Sequence, residues 1–245
     1  MLVKFVLLAR RGDLSHAAFA AHWRGPHATL LGGLEEHRAL NLAYVQNLVV
    51  TAPGEPAVGD ADGIAQTWPR DAASLEAGFH ESPRYAALVL PDVRAFVDTG
   101  RTRIVYAARQ RAFGAQRPGG AKLLGFLRAP EGVAPAPFVA AWCAAQAAAL
   151  QAQGLAPLLR GVALHGVVKT QAPGQAEDAA GGAAGWCHAV AEIRCVDDAA
   201  LHDLLTRHPP AALAGAGRLV ALHAVREAPI YGAVPDDIPH PGTTA

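Results

Sequence analysis

The spacing of apolar and polar residues predicts the same order of elements twice along the chain. Short apolar runs at 2–9 and 122–127 are each typical of a buried strand, and each carries a lysine near its start, Lys4 or Lys122. A helical pattern with two aromatic residues one turn apart follows each run. The aromatic pairs are Phe19 with Trp23 and Phe138 with Trp142. A repeat of about half the chain indicates two similarly folded halves.

Each half then continues with two strand patterns, a helical pattern and a last strand pattern, which makes the order βαββαβ. Predicted strands cover 2–9, 42–50, 63–68 and 103–108, and then 122–127, 162–168, 186–195 and 219–225. Predicted helices cover 15–37 with an interruption at Gly25-Pro26, 71–79, 84–97, 137–153 and 197–213. Residues rich in Pro and Gly predict loops at 51–62 and 170–185.

A βαββαβ unit places both helices on one face of a four-stranded antiparallel sheet and leaves the other face apolar and uncovered. We therefore predict an α+β fold in which two ferredoxin-like βαββαβ repeats pack sheet to sheet as a closed α+β barrel within one chain. A cavity for a small molecule is expected between the sheets. The predicted boundaries are 1–112, 121–228 and, for a Pro-rich C-terminal tail, 229–245.

Composition excludes several kinds of partner. The 245 residues carry 21 basic and 21 acidic side chains without a basic stripe, so neither nucleic acid nor an anionic membrane surface is expected to bind. No apolar run approaches the ~20 residues of a membrane span. The three cysteines, Cys143, Cys187 and Cys195, are odd in number and lack CxxC spacing, which argues against disulfides and structural zinc. We expect a cytoplasmic protein.

The two predicted halves differ in their histidines. His22 aligns with Ala141, and His27 aligns with Gln146. The second half is therefore predicted to be a degenerate copy, and the chemistry is predicted to lie in the first.

Four segments of the first half carry a family resemblance. Together with Lys4 and Trp68, these segments resemble, in chain order, the EthD-like branch of the dimeric α+β barrel proteins. The segments are FAAHWRGPH at 19–27, YVQN at 44–47, DGIA at 62–65 and DVRAFVD at 92–98. The resemblance covers about 2–112. It implies small-molecule chemistry without metal or organic cofactor, as in related dehydratases and decarboxylases, while other branches of the superfamily include oxidoreductases, monooxygenases and haem proteins. The fold alone does not choose among these activities.

Three residues are the catalytic candidates. Imidazole titrates near neutral pH, so His22 is the first choice as general acid or base, with His27 assisting or orienting the substrate. On an ideal helix the two lie ~140° apart, which argues against a shared metal ion. Asp62 is the candidate for orienting a histidine. The alternatives are a structural histidine at 22, a helix-starting residue at 27 and a turn aspartate at 62.

Aromatic residues are the candidates for substrate binding, since they can line an apolar cavity and stack on an aromatic ligand. They are Trp23, Tyr44, Trp68, Tyr85 and Tyr106. Packing in the core is the alternative for each. His80 is a candidate lid residue or an exposed loop residue, and His165 and His188 are strand residues that face the cavity if the second half is not wholly degenerate.

These observations predict a cofactor-independent enzyme, a lyase or isomerase that dehydrates or isomerises a small, apolar, aromatic or lactone-like metabolite. The alternatives are a non-catalytic binding or accessory protein for a catabolic oxygenase, and an oxidoreductase of the same superfamily. No metal is predicted, and the sequence leaves monomer and homodimer open.

Overall fold

The computed structural model describes residues 1–50, 57–76, 79–152, 154–171, 178–179 and 185–234. Parts of the two predicted loops, at 51–56, 172–177 and 180–184, lie outside the described residues, as does the predicted tail beyond 234.

Strands account for most of the regular structure. They are β1 Leu2–Leu8, β2 Asn41–Val49, β3 Ala57–Val58, β4 Gly63–Pro69, β5 Arg103–Gly114, β6 Gly120–Arg128, β7 Leu159–Gln171, β8 Asp178–Ala179, β9 Ala189–Cys195 and β10 Arg218–Tyr231. The α-helices are α1 His16–His22, α2 Ala28–Gly33, α3 Glu35–Leu40, α4 Ala72–Glu76, α5 Leu90–Phe96, α6 Pro135–Ala152, α7 Asp198–Arg207 and α8 Pro210–Ala214. Two π-helical turns, Trp23–His27 and Tyr85–Val89, lead into α2 and α5, and Phe79–Glu81 and Ala156–Leu158 are 3₁₀ turns.

Eight of these strands close into an antiparallel barrel. Their order is β2-β4-β1-β5-β7-β9-β6-β10, and β10 pairs back with β2. The strand β5 pairs with β7 along Ile104 to Gly114, so each half supplies one contiguous part of the barrel. Closure removes the free edges that an open sheet would expose. The predicted α+β barrel is confirmed at this level.

Alternation along the strands separates the barrel interior from the helix-facing side. In β1, Phe5 points inwards and meets Phe126 of β6, with ring centroids 5.8 Å apart in an edge-to-face arrangement. On the other side of the first-half sheet, Phe19, Trp23 and Phe96 pack together under the helices. The helices therefore cover the outside of the barrel.

The lysines near the starts of β1 and β6 lie on opposite sides of the barrel wall. Lys4 lines a cavity on the helix-facing side, whereas Lys122 points into the barrel and hydrogen-bonds to Gln66. A shift of one residue reverses the face of a strand residue. The predicted match between Lys4 and Lys122 is therefore wrong as a structural equivalence.

One end of the barrel interior contains a buried ion network. Lys122 contacts Glu192 and Glu227 at 3.0 and 2.8 Å, and Arg194 pairs with the same two carboxylates. His165 also faces inwards, with its Nε2 3.2 Å from Glu192. Two buried cations and two buried carboxylates balance each other, and the partly exposed Arg160 reaches Glu227 at 3.6 Å. Pairing of this kind is the condition for holding charge in a barrel interior.

Two predictions about the second half need correction or refinement. The last strand, β10, runs to Tyr231 and pairs Pro229 with Val45, so the tail starts later than the predicted residue 229. The Nδ1 atom of His188 is not available to a molecule in the barrel interior, because it accepts a hydrogen bond from the backbone N–H of Ala129 at 3.0 Å.

Candidate functional site

The main cavity lies between the helices and the sheet of the first half and has a volume of about 510 Å³. Its polar lining includes Lys4, His27, His37, Tyr44 and His80. This cavity was predicted between the two sheets but lies on the outer, helix-facing side of the barrel wall. Side chains of both halves fill much of the barrel interior. A smaller cavity of about 180 Å³ lies at one end of the barrel.

The matching space of the second half is packed with side chains. Trp142, Leu150 and Leu204 belong to one buried apolar cluster between the helices and the sheet. Gln146, which aligns with His27 in the sequence, donates to the carbonyl of Ala212 at 2.9 Å and lies 3.0 Å from His208. The side-chain amide of Gln146 is therefore hydrogen-bonded to neighbouring parts of the second half.

In the first half, one carboxylate bridges the two candidate histidines. Asp92 Oδ1 lies 2.8 Å from His22 Nε2, and Asp92 Oδ2 lies 2.6 Å from His27 Nδ1. His22 directly precedes the π-helical turn that contains Pro26, and His27 is the last residue of that turn. A π-turn bonds residue i to residue i+5, so it brings residues five apart to one side of the helix. The expected separation of ~140° assumed an α-helix and is wrong here.

The bridge defines the protonation of His27. The carboxylate oxygens of Asp92 are hydrogen-bond acceptors, so His27 donates from Nδ1 and its Nε2 keeps the lone pair that a general base needs. Burial lowers the pKa of His27, although the hydrogen bond to Asp92 acts in the opposite direction. The neutral, proton-accepting form is therefore the form favoured in the folded protein at neutral pH.

The three groups run from solvent to the cavity. The side chain of His22 is 30% exposed, that of Asp92 is 17% exposed and that of His27 is 6% exposed. The ring of Phe96 stacks on His22 at 4.7 Å and contacts His27 at 5.1 Å. His27 lines the cavity, whereas His22 stands behind it towards solvent.

Residues 11–100 match the family model described as EthD domain. This matched segment lies in the first half of the chain and is called the EthD domain below. It contains both histidines, Asp92 and most of the residues that line the cavity. No curated protein matches the chain.

Solved structures show the fold of the whole chain. One titled as an anthrone oxidase-like protein has a TM-score of 0.54 at 10% identity and covers 94% of this chain and 92% of that chain. A mutant chlorite dismutase from Candidatus Nitrospira defluvii in complex with cyanide has a TM-score of 0.52 at 11% identity and covers 94% and 91%. The protein therefore shares the chlorite dismutase-like dimeric α+β barrel fold.

Asp62 of the EthD domain is not the carboxylate beside the histidines. It accepts a hydrogen bond from the backbone N–H of Arg10 at 2.8 Å and pairs with the guanidinium of the same residue at 3.1 Å. Asp62 therefore ties the end of β1 to the start of β4. The sequence did contain a signal for the true partner, because Asp92 opens the segment DVRAFVD of the family resemblance.

Four of the five aromatic candidates line the EthD cavity. They are Trp23, Tyr44, Tyr85 and Tyr106. Trp68 packs inside the barrel instead, because its position in β4 points to the other face of the sheet. The hydroxyl of Tyr44 accepts a hydrogen bond from Gln46 at 3.1 Å, and burial raises the pKa of Tyr44.

Sequence reasoning missed two basic residues of the cavity. Lys4 Nζ lies 2.7 Å from His80 Nε2, on the 3₁₀ turn that borders the cavity. His37 Nδ1 lies 2.7 Å from the hydroxyl of Tyr231, and burial lowers the pKa of His37 to about 3. Lys4 stood in the repeated strand pattern, but no chemical role was predicted for it, and His37 stood in no motif.

Within the described ranges, no three His, Cys, Asp or Glu side chains converge as ligands for a metal ion. The expectation that the reaction uses neither metal nor cofactor remains a prediction. Among the described helices, none combines the length and the apolar character needed to cross a membrane.

Proposed function

We propose that the protein is a lyase or isomerase that moves protons on a small, largely apolar molecule bound in the cavity of the EthD domain. His27 acts as general base and acid, Asp92 holds its ring, and His22 exchanges protons with solvent. The observation that carries this proposal is the bridge of one carboxylate between a buried histidine at the cavity and a partly exposed histidine outside it.

The lining of the cavity supports an apolar substrate with a planar part. Aromatic rings of Tyr44, Phe79 and Tyr106 and aliphatic side chains of Val6 and Leu31 form much of its wall. A volume of about 510 Å³ lies in the range of small-molecule sites, which is roughly 300–1,000 Å³. A polyketide-like or lactone-like ring system has the matching size and polarity.

The proton transfer needs no further reactant. His27 Nε2 takes a proton from a carbon next to an electron-withdrawing group, and Asp92 stabilises the imidazolium that forms. In a dehydration, the same proton goes to a departing hydroxyl group, which leaves as water. In an isomerisation, the proton returns to a different carbon.

We also propose that the two halves are ferredoxin-like repeats, a complete copy at 1–112 and a degenerate copy at 121–228. Each half contributes its second, third, first and fourth long strands in that spatial order, β2-β4-β1-β5 and β7-β9-β6-β10. The aromatic pairs of α1 and α6 support the same relation, since Phe138 and Trp142 are buried against the second sheet as Phe19 and Trp23 are against the first. A cytoplasmic location is consistent with three free cysteines.

A binding or accessory protein is the second candidate function. The position of His22 outside the cavity and the largely apolar wall favour it, because carriage of a hydrophobic compound needs no proton relay. An oxidoreductase remains the third candidate, since one solved structure of the same fold is titled as anthrone oxidase-like.

The test starts with mass spectrometry of compounds that co-purify with the protein, followed by turnover of the identified compound and of aromatic ketones and lactones. His27→Gln is expected to lower kcat by roughly 10²–10⁴-fold. Binding, followed by quenching of tryptophan fluorescence, is expected to persist. His16→Gln is the matched control and should turn over normally. Unchanged turnover in His27→Gln would overturn the assignment, and a ligand released chemically unchanged by the wild type would favour carriage.

A further inference from the structure

Lysine is rare in this chain, and one of its lysines lies in the EthD cavity. The sequence contains Lys4, Lys122 and Lys169 alone. Lys122 is fully buried in the ion network of the barrel. Lys4 and Lys169 share the ring of Tyr106, with their Nζ atoms 5.6 and 5.1 Å from its centroid.

The partner of Lys4 is an imidazole and not a carboxylate. Its Nζ lies 2.7 Å from His80 Nε2, and in the described part of the chain no carboxylate pairs with it. Lys122, by contrast, contacts the carboxylates of Glu192 and Glu227. A lysine without a counter-ion and next to a second cation loses its proton more readily. Burial, and then the charge of Lys169, lower the pKa of Lys4 to about 8.

We propose that Lys4 is a nucleophile that condenses with the carbonyl carbon of an aldehyde or ketone bound in the cavity. This inference narrows the substrate of the proposed function to carbonyl compounds, and it rests on that function only for the proton transfer that follows condensation. An amine that faces a largely apolar cavity, with an imidazole nitrogen at 2.7 Å to accept its proton, has the arrangement that imine formation requires.

The step is balanced without an oxidant or cofactor. The lone pair of Lys4 Nζ attacks the carbonyl carbon, and the electrons of the C=O bond move to oxygen. His80 relays one proton from nitrogen to the oxygen, which gives a neutral carbinolamine. A second proton, taken from solvent, lets the hydroxyl group leave as water and gives a protonated imine. The imine acidifies the neighbouring C–H, and His27 on the wall of the same cavity can remove that proton. Addition of water releases the product and restores Lys4.

Reductive trapping tests the proposal directly. The full-length protein is incubated with benzaldehyde and sodium cyanoborohydride, and the attached benzyl group is located by peptide mapping. At about pH 7.5, an amine with a pKa of about 8 has roughly a hundredfold more free base than an ordinary lysine. Labelling at Lys4 is therefore expected to exceed labelling at Lys169 at least about tenfold. Its rate should rise with pH to a plateau above the pKa of Lys4.

Two variants complete the design. Lys4→Met is expected to abolish the fast label, with far-ultraviolet circular dichroism confirming the fold. Lys169→Met is the matched control and should keep the label on Lys4. The midpoint of its pH profile should move to higher pH, because loss of a neighbouring positive charge raises the pKa of Lys4. Equal labelling of Lys4 and Lys169 in the wild type overturns the proposal, whether or not either variant folds.

Failure of this inference and failure of the proposed function give different results. His27→Gln leaves Lys4 intact and is expected to trap benzaldehyde at the wild-type rate. Normal trapping with unchanged turnover in His27→Gln would remove the proton-transfer role of His27 and leave the nucleophile standing. Loss of selective labelling at Lys4, together with impaired turnover in His27→Gln, would remove the nucleophile and leave the proton-transfer role of His27 standing.

Discussion

Removal of one charge from the barrel network is expected to destabilise the protein strongly. Lys122 is completely buried, and its Nζ lies 2.8 Å from both Gln66 Oε1 and Glu227 Oε1 and 3.0 Å from Glu192 Oε1. Lys122→Met leaves the two buried carboxylates with one buried cation, Arg194, and with the partly exposed Arg160, which reaches Glu227 at 3.6 Å. Removal of one partner of a buried ion pair costs about 3–5 kcal/mol, because the remaining charge stays out of water. We therefore expect Lys122→Met to lower the free energy of unfolding by about 3–5 kcal/mol.

A second substitution should restore much of the loss. Lys122→Met combined with Glu227→Gln leaves Arg194 facing Glu192, one buried charge of each sign, and removes the carboxylate that the partly exposed Arg160 contacts. We expect the double variant to recover at least about half of the stability lost in the single variant, because balanced buried charges cost far less than an excess charge. The cycle of single and double variants measures the coupling free energy of the pair.

Urea unfolding followed by circular dichroism measures these free energies. For a chain of this size the loss corresponds to a fall in Tm of roughly 6–20 °C. Lys169→Met, on the outer side of the barrel wall, is the control and should change stability by less than about 1 kcal/mol. A Lys122→Met variant within about 1 kcal/mol of the wild type, or a double variant less stable than the single one, would refute the reasoning.

Three further changes test the EthD domain. Asp92→Asn should lower the pKa of His27 further, because the carboxylate raises it, and a nuclear magnetic resonance titration that shows no fall would contradict the bridge. The pKa of His37 is lowered to about 3, so the unfolded chain binds its proton more tightly and stability falls as pH drops below about 6.5. Urea unfolding of His37→Gln should therefore show about 2 kcal/mol less acid destabilisation at about pH 5 than the wild type, and equal losses would contradict this. Gly63→Ala places a Cβ against the indole of Trp23 and should cost about 1–3 kcal/mol by urea unfolding, whereas Gly12→Ala, which has open space, should not.

Local patterns were sufficient for the barrel and for the half that carries the histidines. Alternating apolar residues and aromatic pairs one turn apart are patterns of only a few consecutive residues. They can therefore be read from the sequence without knowing which distant segments pack together. The family segments marked His22 and His27 for the same reason. His27 and four of the five aromatic candidates do lie on the cavity wall.

Two finer predictions were wrong: the equivalence of Lys4 with Lys122, and the angle between His22 and His27. Apolar patterns show that a run is a strand, but they do not set which face a lone lysine takes, so Lys4 and Lys122 were matched although they point to opposite sides. The π-turn at Trp23–His27 is likewise absent from a regular helical pattern, although Pro26 marks the place where the α-helix is interrupted.

The sequence by itself determined the order of strands and helices, the closed barrel and the segment that bears the imidazoles. The tertiary structure alone decided that Asp92, and not Asp62, holds both histidines, and that the cavity lies outside the barrel wall beside Lys4. The physical reason is distance along the chain. Asp92 lies 70 residues from His22, and their contact at 2.8 Å depends on how the whole half folds over its sheet.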